Sequence, residues 1–178
     1  MTRKKAEGIG KKYGGLIALG QPEFKNKINR PGMEFLPHRP PFLFVDRLLS
    51  ADETGAVGEF TYRSGEFGYL VGAADGGAPL IPGMILLETM SQAAGAGMVS
   101  NGFVGGKDKE AVFAFAAVDK ARFLRPVRLG DKLVTVVSND KVRRPLGVFS
   151  MKGYVNGELV AEATVKCMLS ERAKSKEA

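Results

Sequence analysis

The chain has 178 residues, 44% apolar and 25% charged, with a formal net charge of +7 and one cysteine. That suffices for a single domain with a full core, in the composition range of water-soluble globular proteins. One cysteine excludes an internal disulfide, and no apolar run follows the basic start, so a cytoplasmic protein without a secretory signal is expected.

Residues 1–30 hold eight Lys/Arg against two acids, whereas residues 31–169 are neutral overall and 170–178 carry +1. The basicity therefore belongs to a leader and not to a folded face, which argues against nucleic-acid binding. Aromatic interleaving in the leader is limited to Tyr13 and Phe24. The expected organisation is a solvated basic extension over 1–30, one domain over 31–170 and a charged tail over 171–178.

Pro37, Pro40 and Pro41 forbid regular helix in the approach to the domain. Residues 42–50 and 55–63 read as two strands. Residues 64–82 are rich in glycine and read as a loop whose backbone can come close to a ligand. Residues 79–99 then form the longest helix-like stretch, apolar on almost every side, with Pro82 suited to its first turn. It carries one acid, Glu88, with Gln92 one turn later on the same face. A carboxylate in so apolar a helix must be paired, neutralised or working, and it argues for a core helix over a membrane span.

Four strands follow, over 111–118, 132–142, 147–155 and 158–170. The first is nearly continuous in apolar residues and is expected to be covered on both faces. Asn156-Gly157 signals a tight hairpin. In the last strand Leu159, Ala161, Ala163, Val165, Cys167 and Leu169 alternate with polar residues, so one side should face a core. Cys167 reads as a small buried hydrophobe. The order of elements suggests an α+β protein, an antiparallel sheet wrapped around one apolar helix.

Three ordered stretches resemble a known family. They are Leu36-Pro-His-Arg-Pro-Pro-Phe-Leu-Phe-Val-Asp-Arg47, Pro79-Leu-Ile-Pro-Gly-Met-Ile-Leu-Leu-Glu-Thr-Met-Ser-Gln-Ala-Ala-Gly95 and Val118-Asp-Lys-Ala-Arg-Phe-Leu-Arg-Pro-Val-Arg-Leu-Gly-Asp131. They resemble the 3-hydroxyacyl-acyl-carrier-protein dehydratases of the FabZ/FabA type over about residues 33–170. The resemblance implies the hot-dog fold, a homodimer or trimer of dimers with a continuous sheet, and an acyl tunnel along the dimer interface. It implies a substrate on the phosphopantetheine arm of an acyl carrier protein and no further cofactor or metal. Lys120, Arg122, Arg125 and Arg128 would suit a rim for that acidic partner.

Dehydration needs a base for the C2 proton, an acid for the leaving C3 hydroxyl and donors for the thioester oxygen. The resemblance makes Glu88 the acid, supported by Gln92, and sets Gly77 and Gly83 near the thioester oxygen. It places the family's catalytic His on Ala74, which accepts no proton. Asp75 is the nearby carboxylate that could substitute, provided that burial raises its pKa. The sole histidine, His38, matches a non-catalytic family position and reads as structural. Three functions stay open: a dehydratase with an altered base, a non-catalytic or hetero-dimeric subunit completing its site with an active dehydratase, and a hot-dog thioesterase.

Overall fold

A computed structural model describes residues 24–67, 76–105 and 109–173. Seven antiparallel strands form one sheet: β1 (Asn26–Pro31), β2 (Arg47–Asp52), β3 (Gly55–Thr61), β4 (Lys109–Phe123), β5 (Lys132–Arg143), β6 (Leu146–Val155) and β7 (Glu158–Ala173). Their spatial order is β1-β2-β3-β5-β6-β7-β4. Among the described residues a single α-helix, α1 (Gly83–Ser100), packs against β2, β3, β5 and β6. This is the sheet wrapped around an apolar helix that the pattern implied, the hot-dog arrangement.

The helix starts where Pro82 leaves its carbonyl to accept from the Ile85 and Leu86 amides at 2.9 and 3.2 Å. Proline has no N–H to lose there. It ends at Gly102, whose φ of +70° suits a residue without a Cβ, while the Asn101 and Phe103 amides close back on Gly97 and Met98. Its small residues set the distance to the sheet. A Cβ built on Gly97 would stand 2.5 Å from the Ala56 Cβ on β3. Large residues fill the other contacts: Leu86, Leu87, Met90 and Met98 are at most 3% exposed. Each such burial contributes about 1.5–3 kcal/mol.

The boundary expected at residue 30 moves outward. Asn26–Pro31 pairs with β2, so the last part of the leader is a sheet strand. Polar composition concealed it, because an edge strand needs no apolar face. At the other end, β7 runs to Ala173, three residues into the expected tail.

The strand expected from residue 42 begins only at Arg47. Between them the backbone polar groups find a different partner. The Phe44 amide donates to Gln92 Oε1 (2.7 Å) and the Phe42 carbonyl accepts from Gln92 Nε2 (3.0 Å). A side chain of α1 thus takes the place of a neighbouring strand.

Two further expectations are corrected. The apolar strand after the helix is not covered on both faces within the protomer: β4 is the outermost strand, and Phe115 and Val118 are 46% and 45% exposed. Leu159 also leaves the face it was assigned. The β6–β7 ladder passes from Gly153–Ala161 to Tyr154–Leu159, which skips Val160. That bulge turns Val160 into the core and Leu159 onto the outer face, beside Tyr154 and Val134.

Candidate active site

Glu88 sits on the second turn of α1, half-buried, and its Oε1 accepts a 2.9 Å hydrogen bond from Gln92 Nε2. Gln92 is 3% exposed and uses both ends of its amide: it holds Phe42 and Phe44 as well as Glu88. The carboxylate is therefore oriented by a side chain that is itself fixed to the backbone at two points. Glu88 makes no ion pair with any described Lys or Arg.

Glu88 opens into a cleft of about 70 Å³ lined by Leu36, Ser91, Phe113, Phe115, Phe149 and Cys167. The lining is apolar apart from Glu88, Gln92 and Ser91. The Ser91 hydroxyl is turned away, donating to the Leu87 carbonyl at 2.8 Å. Burial and the nearby Glu88 charge push the Cys167 thiol up to about 11. It is a protonated thiol at neutral pH, not a nucleophile. Sequence reasoning found a buried cysteine but not its neighbour, because the inward phase of β7 does not say which helix residue it opposes.

The first two motifs meet here, through Leu36, Phe42, Phe44, Glu88 and Gln92. The rest of the first motif is structural. Asp46 takes the Arg63 guanidinium on both oxygens at 2.9 Å and the Thr61 amide at 2.9 Å. That partner holds the Arg63 guanidinium above its ordinary value. Arg47 reaches back to Asn29 on β1 with its Nε at 2.6 Å. The His38 ring lies tilted against Phe42 at a centroid distance of 6.2 Å and leaves a buried Nδ1 without a partner.

The second and third motifs are stitched together at the helix start. The Ile81 amide donates to Val127 (2.8 Å), the Leu129 amide to Pro79 (2.9 Å), and Arg128 Nη1 to the Ala78 carbonyl (2.8 Å). A separate groove of 270 Å³ lies there, lined among others by Leu80, Gly83, Phe123 and Arg125. A Cβ on Gly83 would stand 2.7 Å from the Phe123 ring, so this half-exposed ring lies directly against the glycine backbone. Gly77 is exposed just before this segment. Neither Gly77 nor Gly83 lines the Glu88 cleft of the same protomer. Ala74 and Asp75 lie outside the described residues.

The expected basic rim is mostly engaged at home. Arg122 pairs with Glu162 at 3.0 Å, Arg125 with Glu158 at 3.3 Å, and Arg128 bonds the Ala78 carbonyl. Lys120 stands opposite Thr164 on β7. The ion pairs of Arg122 and Arg125 are exposed and cost little to break.

An antiparallel sheet closed on one apolar helix is the hot-dog fold, here with a carboxylate of the helix facing an apolar cleft. A family model for the FabA-like domain matches residues 76–164. The chain is 38% identical over 141 residues to the 3-hydroxyacyl-[acyl-carrier-protein] dehydratase FabZ of Klebsiella pneumoniae, covering 79% of this chain and 91% of that one. The chain belongs to the FabZ/FabA-like dehydratase family. Among solved structures, the dehydratase heterocomplex ApeI:P from Xenorhabdus doucetiae matches with a TM-score of 0.65 at 14% identity, covering 80% of this chain and 93% of that one. A hypothetical thioesterase from Streptococcus pneumoniae matches at 0.52 and 15% identity over 72% and 88% of the two chains. At those identities both share the fold alone. No described helix is long and apolar enough to cross a membrane.

Proposed function

We propose that this chain acts in the dehydration of 3-hydroxyacyl thioesters presented by an acyl carrier protein, with Glu88 as the group that protonates the leaving C3 hydroxyl. One observation carries the reading. Glu88 is kept on an otherwise apolar helix, aimed into an apolar cleft by a buried glutamine, and among the described residues no cation pairs with it. An idle fold would gain by replacing such an acid with an apolar residue. In the reaction a base takes the C2 proton, the C3–O bond breaks as Glu88 delivers its proton, and water leaves an enoyl thioester. Backbone donors near Gly77 and Gly83 would hold the thioester oxygen. Asp75 is the candidate base within this chain. Arg122, Arg125 and Lys120 would meet the acidic carrier by exchanging their exposed partners for it.

In a purified assay with 3-hydroxyacyl carrier substrates, the enoyl product should form. Glu88→Gln should lower kcat about 10²–10⁴-fold, the usual range for a lost general acid. No product from any chain length, with Glu88→Gln matching wild type, sinks the reading.

Ala74 supports a second reading, a mixed dimer. In the family the two catalytic groups of one site come from different protomers, so a partner's His would face this chain's Glu88. The half-exposed β4 edge would carry the union. Mixing this chain with an active homologue whose own glutamate is removed should restore one site in each dimer. No rescue, or no association, counts against it. Release of free thiol from a plain acyl thioester, without enoyl product, would turn the choice to a thioesterase.

A further inference from the structure

α1 carries two glycines in its interior, Gly95 and Gly97. An interior glycine weakens a helix, so each needs a reason. Gly97 has one, since a Cβ there would collide with Ala56 on β3. Gly95 has no such reason. A Cβ built on it would meet Leu36 Cδ2 at 3.4 Å and the Phe113 ring at 3.5 and 3.6 Å, which is ordinary van der Waals contact. Its backbone is helical and has no positive φ. Alanine would fit there, favour the helix and fill the gap between Leu36 and Phe113. Glycine leaves that gap open. Leu36 and Phe113 are walls of the Glu88 cleft, and Gly95 itself lines it.

Glu88, Ser91, Gln92 and Gly95 all line the cleft, at i, i+3, i+4 and i+7, which is one face of a helix. The cleft therefore follows α1 from the carboxylate towards its C-terminal half, over about 10 Å. Past Glu88 it has little to offer a polar ligand. Gln92 spends its Oε1 on the Phe44 amide and its Nε2 hydrogens on the Phe42 carbonyl and Glu88. Ser91 gives its hydroxyl hydrogen to Leu87. Among the described lining side chains the remaining donor is the weak Cys167 thiol. A hydroxyl or a charge lodged here would be short of partners, whereas methylenes would not. We infer that Gly95 determines which acyl chains this protein accepts: an unsubstituted alkyl tail lies along this face of α1, and the space left at position 95 sets the longest tail admitted. The inference rests on the acyl-thioester reading of the site, but not on Glu88 acting as an acid. With the thioester end beside Glu88, the tail ends between Leu36 and Phe113.

Saturated acyl-pantetheine thioesters carry no C3 hydroxyl and cannot be dehydrated, so their binding reads the cleft separately from the chemistry. Calorimetric titration of the full chain with butyryl-, octanoyl- and dodecanoyl-pantetheine should show affinity rising with chain length. Gly95→Ala should lower the dodecanoyl-to-butyryl affinity ratio about tenfold or more, the usual effect of one methyl group in an apolar pocket. Phe113→Leu added to Gly95→Ala should recover part of that ratio, because it returns room on the facing wall. A change in helix strength alone would move all three affinities together and gain nothing from Phe113→Leu. No binding of any of the three, no dependence on length in wild type, or an unchanged ratio in Gly95→Ala overturns the inference. The two readings fail separately. Wild type that sorts the thioesters by length, loses that sorting in Gly95→Ala and makes no enoyl product sinks the dehydratase and supports the role of Gly95. Enoyl product formed with the same chain-length profile by wild type and Gly95→Ala overturns the role of Gly95 and keeps the dehydratase.

Discussion

Gln92 does three things with one amide, and each can be separated by experiment. Replacing it with leucine keeps the volume but strands the buried Phe44 N–H and takes its partner from the part-buried Phe42 carbonyl. One buried polar group without a partner costs roughly 1–3 kcal/mol, which urea unfolding should show. Glu88→Ala should cost far less stability, because it leaves only Gln92 Nε2 with one bond fewer. Cys167 offers a second residue-scale test. At pH 8 a thiol held up to about 11 has roughly a hundred-fold less thiolate than an ordinary one near 9. Iodoacetamide should therefore modify the native chain at least that much more slowly than the urea-unfolded chain. Glu88→Gln removes a negative charge, lowers the thiol pKa and should speed the native reaction. Of this site, the acid and its glutamine were legible in the sequence, because a carboxylate and an amide one turn apart in an apolar helix have few other uses. The Phe42 and Phe44 backbone contacts and the Glu88–Cys167 proximity were not. They depend on which turn of the helix lies over which strand, and spacing along one element carries no such information.

Between elements, the closest approach is α1 on β3. Gly97→Ala would improve the helix by about 1 kcal/mol on propensity alone. The new Cβ meets Ala56 at 2.5 Å, however, and overpacking of this kind costs about 1–3 kcal/mol. The net effect should be a loss, seen as a lower Tm, and Ala56→Gly should recover part of it in the double variant. Such coupling between the two sites distinguishes contact from a simple change in helix strength. The helix and five of the seven strands could be recognised from apolar periodicity. β1 could not, since its pairing rests on backbone groups, and its Asn29 and Arg30 read as leader. β2 was started five residues early because Phe42–Val45 has the composition of a strand while its backbone serves Gln92. Val160 defeated the alternation in β7 by adding one residue that its partner does not match.

For the whole molecule, the distribution of apolar surface is uneven. β4 presents Phe115, Val118 and Phe123 at 46%, 45% and 48% exposure along the outermost strand. Such a row of exposed apolar side chains on one strand is the kind of surface on which a second chain packs. If two copies join through β4, Phe115→Lys with Val118→Lys should lower the sedimenting mass to that of one chain and abolish any activity that needs two protomers. An unchanged mass would show that the chains meet elsewhere. Loop restoration tests assembly and chemistry at once. Ala74→His with Asp75→Phe and Gly76→Pro should raise dehydration in the dimer and leave the β4-disrupted monomer inactive. The opposite margin of the sheet behaves differently. There β1 carries an irregularity at Asn29, with φ of +48°, and closes on Pro31, which offers no amide. Joining two copies through β4 would bring both of these blunted margins to the outside of the pair. In that arrangement the irregular, proline-ended β1 would stand at each outer margin and oppose further strand-by-strand addition.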